Sequence, residues 1–270
     1  MKKLIAVDID GTLINSDYKI TERTKKALIQ AQKGGHKLVI SSGRSPSGIE
    51  GYAYELEMDK YESYISAQNG TIVVDMKTKE RVIEHFLEIN LVREILSYSE
   101  DIGIDYMIFR GKQVYSNKME TYKLAEVIEK NQDSEVVLDE DLAKNIAFRP
   151  HNILLAQDEN TISKPAKKLS ERFGDQTSQM YSETYYYEIM PKDVSKGYAL
   201  LEIAEYLGID KENIIAFGDQ GNDMSMIQMA GVGVAMGNAI DSLKDAADYI
   251  TLTNNEDGIA DYLEKHLLNK

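Results

Sequence analysis

Short apolar runs that stop abruptly at small or acidic residues, each followed by a segment of helical periodicity, set the pattern of this chain. Leu4 to Val7 is such a run and predicts a buried strand, ending in Asp8-Ile9-Asp10-Gly11-Thr12. From Thr21 to Lys33 the apolar positions Ala27, Leu28 and Ala31 share one helical side, with Gly34-Gly35 as the stop. Lys37 to Ser41 predicts a second strand, closed by Ser42-Gly43-Arg44, and a helix follows over about Pro46 to Leu56. The strand Tyr64 to Ala67 runs into Gln68-Asn69-Gly70, a hairpin turn signal, with Thr71 to Val74 as the return strand. This alternation is the grammar of an α/β fold with a parallel sheet.

From about Glu84 the grammar changes. Helical stretches (Leu91 to Tyr98, Thr121 to Lys130, Thr161 to Phe173) alternate with strands around Tyr106 to Phe109, Ile153 to Ala156 and Gln179 to Tyr187. Tyr185-Tyr186-Tyr187 alternates like a strand with one ring face in the core and the other exposed. The run Asp139-Glu140-Asp141 reads as a solvated loop. No strand tip in this region carries the Gly-acid ending, so it is read as an inserted domain. After Pro191 the first pattern resumes, with a helix from Lys196, a strand Asn213 to Phe217, a helix whose Met224, Met226 and Met229 face the sheet, a strand Gly231 to Ala235, and a last helix near Gly258 to Leu268. The predicted domains are 1–83 with 191–270, and 84–190.

Composition narrows the chemistry. The 270 residues include no cysteine, which excludes disulfides, thiolate metal sites and cysteine nucleophiles. The four histidines, His36, His85, His151 and His266, share no ligand spacing, so Mg²⁺ with oxygen ligands is a better expectation than zinc or copper. A net charge of −14 argues against nucleic acid or an anionic membrane as partner. No apolar run is long enough to span a bilayer. The strand begins directly after Met1-Lys2-Lys3, leaving no room for a signal peptide, so a cytoplasmic location is expected.

Acids one residue apart on an extended chain point the same way, and a buried unpaired carboxylate is costly, so Asp8 and Asp10 need a partner such as a hard cation. A second strand ends alike, in Gly218-Asp219-Gln220-Gly221-Asn222-Asp223. In an open parallel sheet the ligand lies outside the carboxyl ends of the strands, where two such tips would meet. Ser42 and the Gly43 amide suit phosphate oxygens, and Ser195-Lys196-Gly197 opens a helix whose N-terminus suits an anion. Arg44 and Asn69 are open between rimming the pocket and serving as turn residues.

In order, Asp8-x-Asp10-Gly-Thr, Ser42-Gly43-Arg44, Ser195-Lys196-Gly197 and Gly218-Asp219-x-x-Asn222-Asp223 resemble the four motifs of the haloacid dehalogenase superfamily, more closely its Cof-type sugar-phosphatase branch. The resemblance covers the whole chain, and its motifs are specific jointly rather than singly. It implies a Rossmann-like core and makes the insertion a C2B-type α+β cap that closes over the site and selects the leaving group. It implies that Asp8 is the nucleophile that becomes an aspartyl-phosphate and also ligates Mg²⁺. Asp10 is then the general acid and base, with its carbonyl on the metal. The Ile9 amide, Ser42, the Gly43 amide, Lys196 and Asn222 hold phosphate, Asp219 completes the metal ligands, and Asp223 supports them. The activity implied is Mg²⁺-dependent hydrolysis of small phosphorylated metabolites, sugar phosphates foremost. A phosphomutase of the phosphomannomutase type and a non-catalytic phospho-ligand sensor are the alternatives. Oligomeric state and the particular substrate are not legible.

Overall fold

The structure is a computed structural model that describes residues 2–130 and 134–268. In chain order the strands begin with β1 (Leu4–Val7), β2 (Lys37–Ser41), β3 (Tyr64–Ala67), β4 (Ile72–Asp75) and β5 (Arg81–Glu84). The middle of the chain supplies β6 (Asp105–Arg110), β7 (Gln113–Ser116), β8 (Glu135–Leu138), β9 (Ile153–Ala156), β10 (Thr177–Glu183) and β11 (Tyr186–Pro191). The last segment adds β12 (Ile214–Gly218), β13 (Val232–Ala235) and β14 (Tyr249–Ile250). The chain divides into two compact units, 1–83 with 195–270, and 84–194. Residues 191–194, which the sequence reading gave to the first unit, thus pack with the second.

In the first unit the sheet order is β14-β13-β12-β1-β2-β3-β4-β5. The strands from β14 to β3 are parallel, and β4 returns antiparallel to β3 through the Asn69-Gly70 turn. The apolar run of β1 is buried on both faces, as a central parallel strand requires. Ile5 and Val7 pack beneath α1 (Glu22–Lys33) and α2 (Pro46–Glu55), whereas Leu4 and Ala6 face the opposite layer. Thr21 caps α1 by accepting from the Thr24 amide at 3.3 Å. The chain moves outward from β1 in both directions, to β2 on one side and β12 on the other. The carboxyl ends of β1 and β12 therefore sit side by side at the topological switch, where α/β sheets bind ligands.

The second unit contains α3 (Ile89–Ile102), α4 (Leu124–Lys130), α5 (Leu142–Asn145) and α6 (Ser163–Phe173) around a sheet of order β10-β11-β9-β6-β7-β8. Its pairings are antiparallel except β7 with β8. The stretch Gln179 to Tyr187, read from sequence as one strand, is a hairpin of β10 and β11. The tyrosine run is corrected with it. Strand β11 is interior, so Tyr187 is buried with α3 and α6, while Tyr186 is buried on the other face beside α4. The acidic run near Asp139 is a turn, as expected, and leads into α5, where Asn145 donates to the Asp139 carboxylate.

The final segment returns to the first unit as α7 (Lys196–Leu207), α8 (Met224–Met229), α9 (Asp241–Ala246) and α10 (Gly258–Leu263). Met226 is fully buried in the layer beneath the sheet, with Met224 at its edge and Met229 half-buried. Among the described residues no helix is long and apolar enough to cross a membrane.

Candidate active site

The site is built where β1 and β12 end. β1 delivers Asp8, whose amide donates to the Phe217 carbonyl of the neighbouring strand at 3.1 Å. The chain then winds tightly through residues 9–13, closed by amides of Leu13 and Ile14 on the carbonyls of Asp8 and Ile9. Gly11 makes this possible. It has φ +76°, and a Cβ there would stand 2.3 Å from Asp219 Oδ2. Asn238 clamps the loop from outside by donating to the Gly11 carbonyl at 2.8 Å.

β12 ends in Gly218 and delivers Asp219, and the turn behind it brings Asp223 back under the strand end. The amides of Asp219 and Gln220 donate to Asp223 Oδ2 at 2.9 and 3.1 Å. Lys196, the first residue of α7, is capped in position by Ser195, whose hydroxyl accepts from the Tyr198 amide at 3.1 Å. Its fully buried ammonium lies 2.7 Å from Asp8 Oδ1 and 2.7 Å from Asp223 Oδ1. Asp219 lies alongside, accepting from Thr12 Oγ1 at 2.9 Å and from Gln220 Nε2 at 3.3 Å. Carboxylate oxygens of Asp8, Asp219 and Asp223 all fall within 4.8 Å of one another, and all three residues are buried.

Three acids against one ammonium leave an excess of buried negative charge. Burial, then the field of Asp223, holds the Asp8 carboxyl well above the usual carboxylate range despite Lys196. Burial and Asp223 push Asp219 up to about 6, against the Thr12 and Gln220 hydrogen bonds. For Lys196 burial acts downward, but Asp223 and Asp8 outweigh it, and the ammonium stays charged above the ordinary lysine value. Such a cluster can take a hard divalent cation, which supplies the missing positive charge through oxygen ligands alone. Asp223 gives one oxygen to the ammonium and the other to two backbone amides, whereas each Asp219 oxygen accepts from a single side chain and Lys196 contacts Asp8 at Oδ1, so Asp8 and Asp219 are the side chains better placed to turn to an ion.

The remaining predicted residues divide. Asp10 does not join the buried group; its half-exposed carboxylate is held by the Arg44 fork at 2.6 and 3.0 Å, and the guanidinium lies over the Tyr52 ring. Ser42 is buried at the end of β2, its hydroxyl accepting from the Arg44 amide at 3.2 Å. Gly43 packs on the Asn69 side chain, and Asn222 donates to Asn69 Oδ1 at 3.4 Å. Sequence reasoning gave no role to Thr12, which orients Asp219, and left Asn69 open. Its signal was present all the same: Asn69 ends a strand as the acids do.

Acids and a buried lysine gathered at the carboxyl edge of a parallel sheet form a site that could hold a cation beside an anion. A profile of the haloacid dehalogenase-like hydrolases matches residues 5–263, and the chain belongs to that family. The 5-amino-6-(5-phospho-D-ribitylamino)uracil phosphatase YcsE of Bacillus subtilis is 32% identical over 261 residues, covering 96% of this chain and 93% of its own. A haloacid dehalogenase-like hydrolase of solved structure from Bacteroides thetaiotaomicron is 33% identical, with a TM-score of 0.86 over 98% of this chain and 99% of its own. The structure of the subclass IIB sugar phosphatase BT4131 shares the fold at 24% identity and a TM-score of 0.81, over 98% of each chain. The chain is a phosphatase of this family, which sets aside the sensor alternative.

Proposed function

We propose that this phosphatase hydrolyses monoesters of small phosphorylated metabolites, sugar phosphates foremost, with Mg²⁺ and through an aspartyl-phosphate on Asp8. One observation carries the reading: a fully buried Lys196 ammonium spans Asp8 and Asp223 at 2.7 Å each, with Asp219 beside them. Asp8 and Asp219, with the Asp10 carbonyl that the family resemblance implies, would hold Mg²⁺. The bound ion would offset the charge repulsion between the Asp8 carboxylate and a phosphate dianion.

In the first half-reaction an Asp8 carboxylate oxygen attacks phosphorus, the bond to the leaving oxygen breaks, and Asp10 gives that oxygen its proton. In the second, water attacks the same phosphorus, Asp10 takes the proton of the water, and the bond to Asp8 breaks to release inorganic phosphate. Asp10 must exchange the Arg44 fork for the leaving oxygen to do this. Lys196, Ser42, Asn222 and the amides of Ile9 and Gly43 would hold the phosphate oxygens as their charge rises. Asp223 braces Lys196 and the strand end. Selection of the leaving group is assigned to the inserted unit.

Release of phosphate from p-nitrophenyl phosphate and from a panel of sugar phosphates tests the proposal. Turnover without a bisphosphate activator, lost with a chelator and restored by Mg²⁺, is expected; transfer to a second sugar in place of phosphate release would make it a mutase. Proton linkage gives a separate check. A carboxyl whose folded pKa is raised binds its proton more tightly when folded, so the metal-free protein loses stability from Asp219 as pH rises from 3.8 through about 6. Mg²⁺ binding competes with that proton. At about a hundred times its Kd the ion should contribute about 2.7 kcal/mol and raise Tm by roughly 5–10 °C near neutral pH, and far less near pH 5. An equal rise at both pH values, read by thermal unfolding, would contradict Asp219 as a ligand.

A further inference from the structure

The turn Gln68–Gly70 touches three of the four segments to which the proposed function assigns phosphate, all but the Ile9 loop. The Asn69 amide donates to the Ser42 carbonyl at 3.0 Å, and the Gln68 amide to the Arg44 carbonyl at 2.9 Å. A Cβ on Gly43 would stand 3.2 Å from Asn69 Nδ2, so this side chain fills the space that the glycine leaves. Asn222 donates to Asn69 Oδ1 at 3.4 Å from the far side. Gly70, with φ +101°, lies against the start of α7, where a Cβ would stand 2.5 Å from the Ser195 carbonyl. Thus one turn joins the Ser42-Gly43 loop, the Asn222 loop and the helix that carries Lys196.

Two features of the turn are costly and need a reason. Gln68 and Asn69 are both left-handed, at φ 47° and 54°, an arrangement that non-glycine residues adopt seldom and hold only when their surroundings enforce it. Asn69 is also 0% exposed, and its Nδ2 has no hydrogen-bond partner among the described residues. A buried amide donor left unpaired costs free energy, and beside the Gly43 and Asn222 loops a ligand oxygen would offset that cost.

We infer that Asn69 is a positioning residue of the phosphate site, locking the Gly43 and Asn222 loops into one anion cradle and turning its own amide hydrogen toward it. This rests on the reading that Ser42, Gly43 and Asn222 hold phosphate. Asn69 is not required for the metal, since among the described residues none of its hydrogen bonds reaches Asp8 or Asp219.

The test is competitive inhibition of p-nitrophenyl phosphate turnover by inorganic phosphate in saturating Mg²⁺. It compares the wild type, Asn69→Gly, Asn222→Ala, Ser42→Ala and the Asn69→Gly/Asn222→Ala pair. Glycine keeps the left-handed backbone and removes only the side chain. Asn69→Gly should raise the phosphate Ki about tenfold or more. The double variant should be little worse than either single one, because the two asparagines act as a unit. The Mg²⁺-induced rise in Tm without phosphate should be unchanged, which separates positioning from general loosening. A Ki within about twofold of wild type for Asn69→Gly, while Asn222→Ala or Ser42→Ala weakens phosphate, would overturn the inference alone. No change in any variant would overturn the phosphate assignment beneath it as well. Should Asn69→Gly not fold, Asn69→Asp decides. It keeps the acceptor for Asn222 and replaces the spare donor by an oxygen, so Ki should rise at least as far, and an unchanged Ki would refute the role.

Discussion

Lys196→Met should destabilise the protein by about 3–5 kcal/mol and abolish measurable turnover, although it replaces a lysine by an apolar side chain of similar length. The ammonium is fully buried, and it is the cation that Asp8 and Asp223 both contact. Without it two buried carboxylates face each other and Asp219 uncompensated, and burial already penalises the charged forms of Asp8 and Asp219. Exposed ion pairs of this chain, such as Lys144 with Asp141, offer no such leverage, because water and salt screen them. Urea unfolding of the metal-free protein measures the difference. A loss below about 1 kcal/mol would mean that the acids do not depend on Lys196.

Asp8→Asn should cost about 10⁴-fold or more in kcat, yet raise the Tm of the metal-free protein at neutral pH. The signs separate because the two residues bear the burial of charge differently. Asp8 is held well above the usual carboxylate range by burial and by Asp223, so its ionised form is disfavoured in the fold. Asparagine has the same shape without the charge, and Lys196 keeps Asp223 as its partner. The site would then trade catalytic power for stability, as strained functional centres do. Thermal unfolding beside a turnover assay reads both quantities. A marked fall in Tm would contradict the view of Asp8 as a disfavoured buried charge, and near-normal turnover would remove it as nucleophile.

The first unit was largely legible because its signals are local. A strand such as β1, buried on both faces, shows as an unbroken apolar run, and the acids that end it are conspicuous against that run. Ser195 before Lys196 reads as a cap because a hydroxyl at that position has a specific amide to accept from. Less legible were elements whose residues are half exposed. Strand β5, at the edge of its sheet, and the short strands β7 and β8 lack an apolar stripe strong enough to mark them. The β10–β11 hairpin was hidden for another reason: it turns at Thr184-Tyr185, without the Gly, Pro or Asn that usually announces a turn. The tyrosines after it are apolar enough for both faces of an interior strand, so alternation misled.

Side-chain partners were the least legible part of the site. Nothing in the spacing of Asp10 and Arg44 distinguishes a bidentate pair from two turn residues, since their meeting depends on β1 and β2 lying side by side. The same holds for Asn69 and Asn222, which lie 153 positions apart in sequence and meet only through the sheet order. Asp223 is a subtler case. Its place after Asp219 suggested support, and only the fold shows how: Lys196 holds one of its oxygens and two backbone amides the other.

The most direct test of the account is to find the phosphoryl group on the enzyme. On the proposed mechanism Asp10→Asn removes the base that activates water, so a substrate with a good leaving group, such as p-nitrophenyl phosphate, should load the enzyme faster than it is cleared. Acid quenching followed by mass spectrometry of the proteolysed protein should then place one phosphoryl group on the carboxylate of Asp8. Phosphate found on another side chain, or an enzyme that turns over without ever carrying phosphate at Asp8, would contradict it.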